Sequence, residues 1–221
     1  MPRDTGYRLD PDDVLKAYTL GYFPMGRSRR DRGVVWVLPD KRGVLDLARA
    51  RLPRRLRDTV KAAPFEIAIN RDFAGVVAGC AAAAPGREDT WINEAIEEAY
   101  LELHVRGAAH SLECWQAGEL VGGVYGVAVG AAFCGESMFS RRRDASKVAM
   151  AHLIARLKIN GFRLLDTQFW TAHLAQFGVE EIPDARYQEL LGDLLGAPAD
   201  FTAGPSYFDA TTVLQSITQT S

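Results

Sequence analysis

The 221-residue sequence is poor in cysteine, with only Cys80, Cys114 and Cys134 and no closely spaced pair. Disulfides are rare in reducing compartments, so this odd count favours buried thiols and a cytoplasmic location. No apolar run approaches the roughly 18 residues that a membrane span needs, because glycines interrupt the longest candidate, around residues 120–134. The polar N-terminus carries both signs of charge, unlike a secretory signal. We therefore expect a protein without a membrane association.

Motifs for metals and common cofactors are also missing. The four histidines are scattered, without an HExxH motif or paired cysteine spacing. Neither a GxxxxGK[ST] loop nor a GxGxxG turn is present, so nucleoside triphosphates and dinucleotides lack a recognition motif. GESMF resembles a GxSxG nucleophile elbow, but Phe139 occupies the position of the second glycine. We expect neither a metal nor a cofactor.

Charge is distributed unevenly, although the net charge is only −2. Residues 27–57 hold eleven basic side chains against three aspartates, which gives this segment a charge of +8. A basic segment in an otherwise acidic chain indicates contact with a polyanion. A solvated arginine-rich surface is the alternative interpretation.

Hydrophobic periodicity and turn residues predict an α+β protein. A boundary near residues 58–63 would divide it into a small N-terminal domain, residues 1–60, and a larger domain, residues 61–221. The clearest elements are a helix over 11–20, a strand over 65–70, a helix over 91–107, strands over 109–115, 119–128 and 131–138, a long helix after Asp144 and a strand over 162–170. This order is compatible with an acyltransferase architecture built around a splayed sheet.

Two strands carry polar side chains in apolar surroundings. Glu136 interrupts FCGESMFS, where strict alternation places it on one face with Cys134 and Met138. Asp166 and Gln168 are two residues apart in FRLLDTQFW and share a face. A buried carboxylate is costly unless it is paired or used. Each carboxylate is therefore either a structural partner of a nearby arginine or a functional group.

Several segments, in order and approximate spacing, resemble leucyl/phenylalanyl-tRNA–protein transferases. They lie between about residues 8 and 195 and include GYFPM, WVLPD, TWI, HSLECW, ELVGGVYGVAVG, FCGESMFS, DASK, LLDTQ and FGVEEIP. The resemblance implies transfer of Leu or Phe, with Met as a further candidate, from aminoacyl-tRNA to the N-terminal amine of proteins that begin with Lys or Arg, creating a degradation signal. It also implies an acetyltransferase-like (GNAT-type) domain, with a mixed and mainly antiparallel sheet, behind a small N-terminal domain. We expect a monomer.

The resemblance also implies the site residues. Asp166 would orient Gln168 and accept hydrogen bonds from the attacking amine, Gln168 would stabilise the reacting carbonyl, and Glu136 would hold a cationic group of the acceptor. The pocket for the aminoacyl side chain would be lined by Val124, Phe133, Met138, Met150, Leu153 and Leu165. The terminal adenosine and the tRNA phosphates would contact Trp91, Met25, Arg54, Arg55, Arg57, Arg141, Arg142 and Arg143. Family members often carry tryptophan at the position of Met25.

Two other functions are compatible with these residues. An N-acyltransferase of the same fold could use another donor, such as CoA or a different aminoacyl-tRNA. A CoA-dependent enzyme would be insensitive to ribonuclease, which separates the two. A non-catalytic tRNA-binding module would bind tRNA and transfer nothing.

Overall fold

The computed structural model describes residues 8–83 and 88–218. The helices are α1 (Pro11–Thr19), α2 (Arg54–Ala62), α3 (Phe73–Ala81), α4 (Glu94–Val105), α5 (Ala145–Ile159), α6 (Ala172–Ala175), α7 (Asp184–Leu195) and α8 (Ala210–Thr218), with a 3-10 turn at Leu47–Arg49. The strands are β1 (Phe23–Gly26), β2 (Val34–Val37), β3 (Lys41–Asp46), β4 (Glu66–Ile69), β5 (Ala109–Gln116), β6 (Glu119–Val129), β7 (Ala132–Ser140), β8 (Leu164–Gln168) and β9 (Glu180–Pro183).

Seven strands form one mixed sheet in the order β4-β5-β6-β7-β8-β3-β9. In the part of the chain that the structure describes, β7 and β8 are the only neighbours that run parallel within this sheet, and the other neighbours are antiparallel. Strands β1 and β2 form a separate antiparallel pair. The predicted α+β class with a mixed, mainly antiparallel sheet is confirmed.

Strand β3 was not predicted from the sequence, and neither were β9 and α8. Strand β3 lies between β8 and β9 in the large sheet, although it belongs to the first 60 residues of the chain. Both faces of β3 are covered, so its residues 42–45 are all buried, including Arg42. A short strand with a buried arginine lacks the alternation that identifies a half-exposed strand. The division into residues 1–60 and 61–221 stays a prediction.

Helices cover both faces of the sheet and form two main apolar clusters. Helices α2, α5 and α8 pack on one face, and α1, α3 and α4 pack on the other. Helix α5 has eleven buried residues among its fifteen, because the sheet and two helices surround it. Each large apolar side chain buried in this way contributes about 1.5–3 kcal/mol. Within the described residues, no helix combines the length and the apolar character of a membrane span.

Candidate active site

Strands β7 and β8 are paired at one end only. Their register runs from Ala132 opposite Leu164 to Cys134 opposite Asp166, while β7 itself continues to Ser140. Where the pairing stops, a cavity of about 70 Å³ opens between the two strands. The parting of two strands therefore creates the space for a ligand inside the sheet.

The walls of this cavity are mostly apolar. They include four of the six predicted pocket residues, namely Val124, Met138, Met150 and Leu165, together with Leu174 of α6. Phe133 and Leu153 lie in the neighbouring core instead, because Phe133 precedes the point where the strands part and packs against Phe162 and Phe201. One water needs about 10–15 Å³, so the cavity has room for a side chain of about four or five heavy atoms.

Glu136 lies on the cavity wall at a bulge in β7. Gly126 of β6 is opposite Gly135, and the next residue, Tyr125, is opposite Ser137. Glu136 is the extra residue between these two pairs. Bulges of this kind redirect a side chain and interrupt the ladder of hydrogen bonds.

The bulge corrects the predicted alternation along β7. Cys134 and Phe139 pack in the cluster that contains α1, α3 and α4, whereas Met138 packs in the cluster of α5. Cys134 and Met138 therefore lie on opposite faces of the strand. One inserted residue shifts the pattern of every residue beyond it.

Three donors converge on the Glu136 carboxylate. Tyr18 of α1 donates to Oε1 at 2.6 Å, and Tyr100 of α4 donates to Oε2 at 2.8 Å. Gln168 Nε2 donates to Oε1 at 3.2 Å. Burial raises the pKa of Glu136 to about 7, against the lowering effect of the two tyrosine hydrogen bonds. Near neutral pH the group therefore exists in both protonation states.

Asp166 is completely buried and ion-paired. Arg42 of β3 donates from Nε to Oδ1 at 2.9 Å and from Nη2 to Oδ2 at 2.7 Å. The Tyr187 hydroxyl donates to Oδ2 at 2.8 Å, and the Gln168 backbone N–H donates to Oδ1 at 2.8 Å. A carboxylate has about four acceptor positions, and here all of them are taken. This environment leaves no position for a bound amine.

Gln168 has a left-handed backbone, with φ of 56°. Such a conformation is costly for a residue other than glycine and persists only where its surroundings enforce it. Here the hydrogen bond from its N–H to Asp166 holds the turn. Gly43 of β3 lies so close to the following backbone that a Cβ would be 2.5 Å from the Phe169 carbonyl carbon. The strained turn aims the Gln168 amide at Glu136.

The structure adds four residues that the sequence did not single out for this site: Tyr18, Tyr100, Tyr187 and Arg42. The tyrosines follow the apolar periodicity of their helices, so they were indistinguishable from core residues. Arg42 was counted with the basic segment. An arginine directly before the apolar run GVL is the one signal that marked it as a buried partner for a carboxylate.

Trp91 and Met25 lie beside each other at the edge of the apolar cluster of α1, α3 and α4. Both are half-buried and pack against this cluster. The Gly26 N–H donates to the Trp91 carbonyl at 2.9 Å, which fixes β1 next to Trp91. The structure therefore brings these two predicted residues together.

The basic segment does not form a single cationic surface. Arg29 pairs with Glu97, Arg32 pairs with Glu94 and Glu98, and Arg42 is buried. The three glutamates on α4, and Asp166 on β8 as the partner of Arg42, neutralise part of the +8 charge of this segment.

The predicted phosphate-binding arginines lie in two places. Arg54, Arg55 and Arg57 are exposed on α2, and Arg141, Arg142 and Arg143 are exposed in the turn between β7 and α5.

Comparisons with known proteins agree with one another. A family model described as leucyl/phenylalanyl-tRNA protein transferase matches residues 44–192. A leucyl/phenylalanyl-tRNA–protein transferase of Maricaulis maris is 52% identical over 210 residues, which cover 95% of this chain and 97% of that protein. The protein of the same name from Phenylobacterium zucineum is 54% identical over 218 residues, covering 96% and 99%.

Among solved structures, one described as L-PGS from Bacillus licheniformis aligns with 76% of this chain and 56% of its own chain. Its sequence identity is 14% and its TM-score is 0.42.

Proposed function

This chain belongs to the leucyl/phenylalanyl-tRNA protein transferase family, and we propose that the cavity between β7 and β8 is where it transfers Leu or Phe from aminoacyl-tRNA to a protein N-terminus. The acceptor would begin with Lys or Arg, and the product would carry a degradation signal. The observation that carries this proposal is the contact between Glu136 and Gln168 on the wall of an apolar cavity. The apolar walls of the cavity suit an aminoacyl side chain, and the polar edge formed by Glu136 and Gln168 suits an amine.

The cavity suits the donor. Its walls of Val124, Leu165 and two methionines would enclose an unbranched Cβ followed by apolar atoms. Methionine side chains adapt to ligands of different shape, which would let Met138 and Met150 admit both Leu and the larger Phe. A side chain branched at Cβ is stiffer and broader at the cavity entrance. We therefore expect Ile and Val to be poor donors.

The polar edge suits the acceptor. A Glu136 anion, half-buried and held by Tyr18 and Tyr100, would bind the cationic side chain or the α-ammonium group of the acceptor. A bound cation favours the ionised form and would lower the pKa of Glu136 below its value of about 7 in the free protein. Acceptor binding would therefore release a proton near neutral pH.

The reaction is the aminolysis of an ester that is already activated. The α-amine, with an ordinary pKa of about 7.7–8.0, is partly neutral at pH 7. Its nitrogen would attack the ester carbonyl, the new C–N bond would form, and the C–O bond to the ribose would break. The proton lost by the nitrogen would end on the ribose hydroxyl. The Gln168 amide would donate to the developing oxyanion. The apolar walls would hold the aminoacyl side chain and the Glu136 edge would hold the acceptor, so the two reactants would be kept close together.

Asp166 would act as a positioning residue in this scheme. Its four acceptor positions are already filled, so it would fix the Gln168 backbone and leave contact with the amine to Glu136 and Gln168. Arg42 and Tyr187 would keep it immobile.

The surrounding features fit a tRNA donor. Trp91 and Met25 would lie near the terminal adenosine, where aromatic stacking contributes about 1–3 kcal/mol per base. The exposed arginines on α2 and between β7 and α5 would contact phosphates, which position the RNA without reading its sequence. Strands β7 and β8 are a parallel pair, and they part beyond Cys134 and Asp166. This parting of parallel strands supports the proposed acetyltransferase-like (GNAT-type) arrangement.

The test is incubation of the purified protein with radiolabelled Leu-tRNA and three peptides that begin with Arg, Lys or Asp. We expect label on the Arg and Lys peptides alone, and much less label when the Leu-tRNA is digested with ribonuclease before the protein is added. Leucyl-CoA as donor is the control, and transfer from it would favour the CoA-dependent alternative. Binding of tRNA without any labelled peptide would contradict the proposal and indicate a binding module.

A further inference from the structure

A second and larger cavity shares Met138 with the first. It has a volume of about 390 Å³ and lies between the C-terminal end of α3, the last residues of β7 and the start of α5. Its apolar walls include Gly79, Ala83 and Phe139. This volume is within the range of about 300–1,000 Å³ that is typical of ligand pockets.

The polar side chains of this second cavity are one arginine, one histidine and two serines. They are Arg141, His173, Ser140 and Ser146, and no carboxylate lines the cavity among residues 8–83 and 88–218. Burial and, to a smaller extent, the Lys147 ammonium lower the pKa of His173, and Lys147 itself is ion-paired with Asp144. Arg141 is therefore the cation among the described residues that line this cavity. Because α5 begins at the cavity, the positive end of its helix dipole adds to this field. The cavity therefore favours an anionic ligand.

Arg141 is held in place without a carboxylate partner among the described residues. Its Nη1 donates to the Leu120 carbonyl at 3.1 Å, and its guanidinium carbon lies 5.2 Å from the centre of the Phe139 ring. A guanidinium group carries five N–H donors. These contacts therefore orient the side chain while donors are left for a ligand oxygen.

The chemistry of the donor specifies which anion would come close to Met138. In an aminoacyl-tRNA, the ester and the 5′-phosphate of the terminal nucleotide belong to the same ribose. If the aminoacyl side chain occupies the first cavity, only the α-carbon, the ester group and one ribose separate it from that phosphate. We infer that the second cavity holds this phosphodiester, with Arg141 as its contact, and the nucleotide that precedes the terminal adenosine. This inference rests on the proposed function and names a subsite for it.

Small donors test the inference directly. We compare kcat/KM for leucyl-adenosine, leucyl-adenosine 5′-monophosphate and the leucyl ester of cytidylyl-adenosine, with one Arg-starting peptide as acceptor. The wild-type protein should prefer the dinucleotide to leucyl-adenosine by about tenfold or more, as expected for a charge-assisted contact. Part of this gain should already appear with the monophosphate. The gain should fall with ionic strength with a logarithmic slope of about −0.7, as for one single-strand phosphate.

Two variants and a control locate the contact. Arg141→Gln removes the charge, and Ala83→Trp fills the cavity from its other wall, so both should reduce the dinucleotide gain towards one. Arg163→Gln, at an exposed arginine outside this cavity, should retain the gain. If Arg141→Gln lowers the melting temperature, Ala83→Trp still tests the same cavity.

The possible failures are distinguishable. No preference for the dinucleotide in the wild type, or an equal loss of rate with all three donors in Arg141→Gln, would overturn the subsite. If transfer from full-length Leu-tRNA is normal in that case, the proposed function stands without it. If full-length Leu-tRNA gives no transfer, the proposed function itself fails.

Discussion

Arg42 and Asp166 form a completely buried ion pair with two hydrogen bonds, although 124 residues separate them in the sequence. The pair joins β3 to β8 and holds the carboxylate that fixes the Gln168 turn. The position of Gln168 beside Glu136 therefore depends on an arginine from the first quarter of the chain.

Replacing one partner of this ion pair should cost more stability per substitution than replacing both partners together. Arg42→Gln and Asp166→Asn should each lower the free energy of unfolding by about 3–5 kcal/mol, because each leaves a buried charge without its partner. The double variant should lose less than the sum of the two. Urea denaturation measures all three, with Arg163→Gln at an exposed position as the matched control. Additive losses would show that the two side chains do not interact.

The charge of Glu136 should select the acceptor. Glu136→Gln keeps the size of the side chain and removes the anion, so kcat/KM for Arg- and Lys-starting peptides should fall about 10- to 150-fold. Aminoacyl-tRNA binding should be unchanged, and a peptide that begins with Ala should be no worse a substrate than for the wild type. Glu119→Gln, at the exposed first residue of β6, is the control. A uniform loss for every acceptor with a lower melting temperature would assign Glu136 to packing.

The same substitution should change how stability depends on pH. Burial raises the pKa of Glu136 from 4.5 to about 7 in the folded protein, so the folded state binds the extra proton between these values. The wild type therefore loses stability as pH rises through this window, and Glu136→Gln does not. From pH 5 to pH 8, the free energy of unfolding of the variant should rise by about 2–3 kcal/mol relative to that of the wild type. Parallel curves from urea denaturation at these pH values would contradict the raised pKa.

Met138 should set the size of the accepted side chain. Met138→Ala enlarges the first cavity, so the ratio of Phe transfer to Leu transfer should rise about tenfold. Competition between the two aminoacyl-tRNAs at limiting concentration measures this ratio. Ile159→Ala, at an exposed position of α5, should leave it unchanged. Equal transfer of Leu and Ile by the wild type would contradict the pocket itself.

The arginines of α2 should act on tRNA and not on chemistry. Replacement of Arg54, Arg55 and Arg57 by Ala should raise KM for aminoacyl-tRNA and reduce its logarithmic salt slope by up to about 0.9 for each lost phosphate contact. Transfer from leucyl-adenosine should change much less. The triple variant Lys16→Ala, Arg163→Ala, Arg186→Ala removes the same charge from three other exposed positions and is the control. Equal effects on both donors would mean that α2 has a structural role.

The sequence predicted the elements that have a clear local signal. The apolar spacing of residues 91–107 predicted a helix that spans Glu94–Val105, and the Asn93 side chain accepts from Ile96 N–H to start it. Glu136, Asp166 and Gln168 attracted attention because polar groups in apolar strands need a partner or a use.

Features that depend on pairing between distant segments could not be predicted. The bulge at Glu136 is defined by β6, and the left-handed turn at Gln168 is held by Asp166 and the close approach of Gly43. The sequence marks Arg42 only by the apolar run GVL that follows it, and the identity of its partner, Asp166, depends on the position of β3 between β8 and β9. Tertiary contacts therefore decided the parts of the site that sequence analysis missed.

The position of β3 has a consequence for synthesis on the ribosome. Lys41–Asp46 leaves the ribosome well before Leu164–Gln168 and Glu180–Pro183, the two strands between which it lies. At about 5–20 residues per second the nascent chain waits about 6–25 seconds for the first of them. During this time Val44 and Leu45 have no sheet to join, and Arg42 has no carboxylate. These buried positions of the folded protein therefore stay without their sheet partners until β8, in the last quarter or so of the chain, has been made.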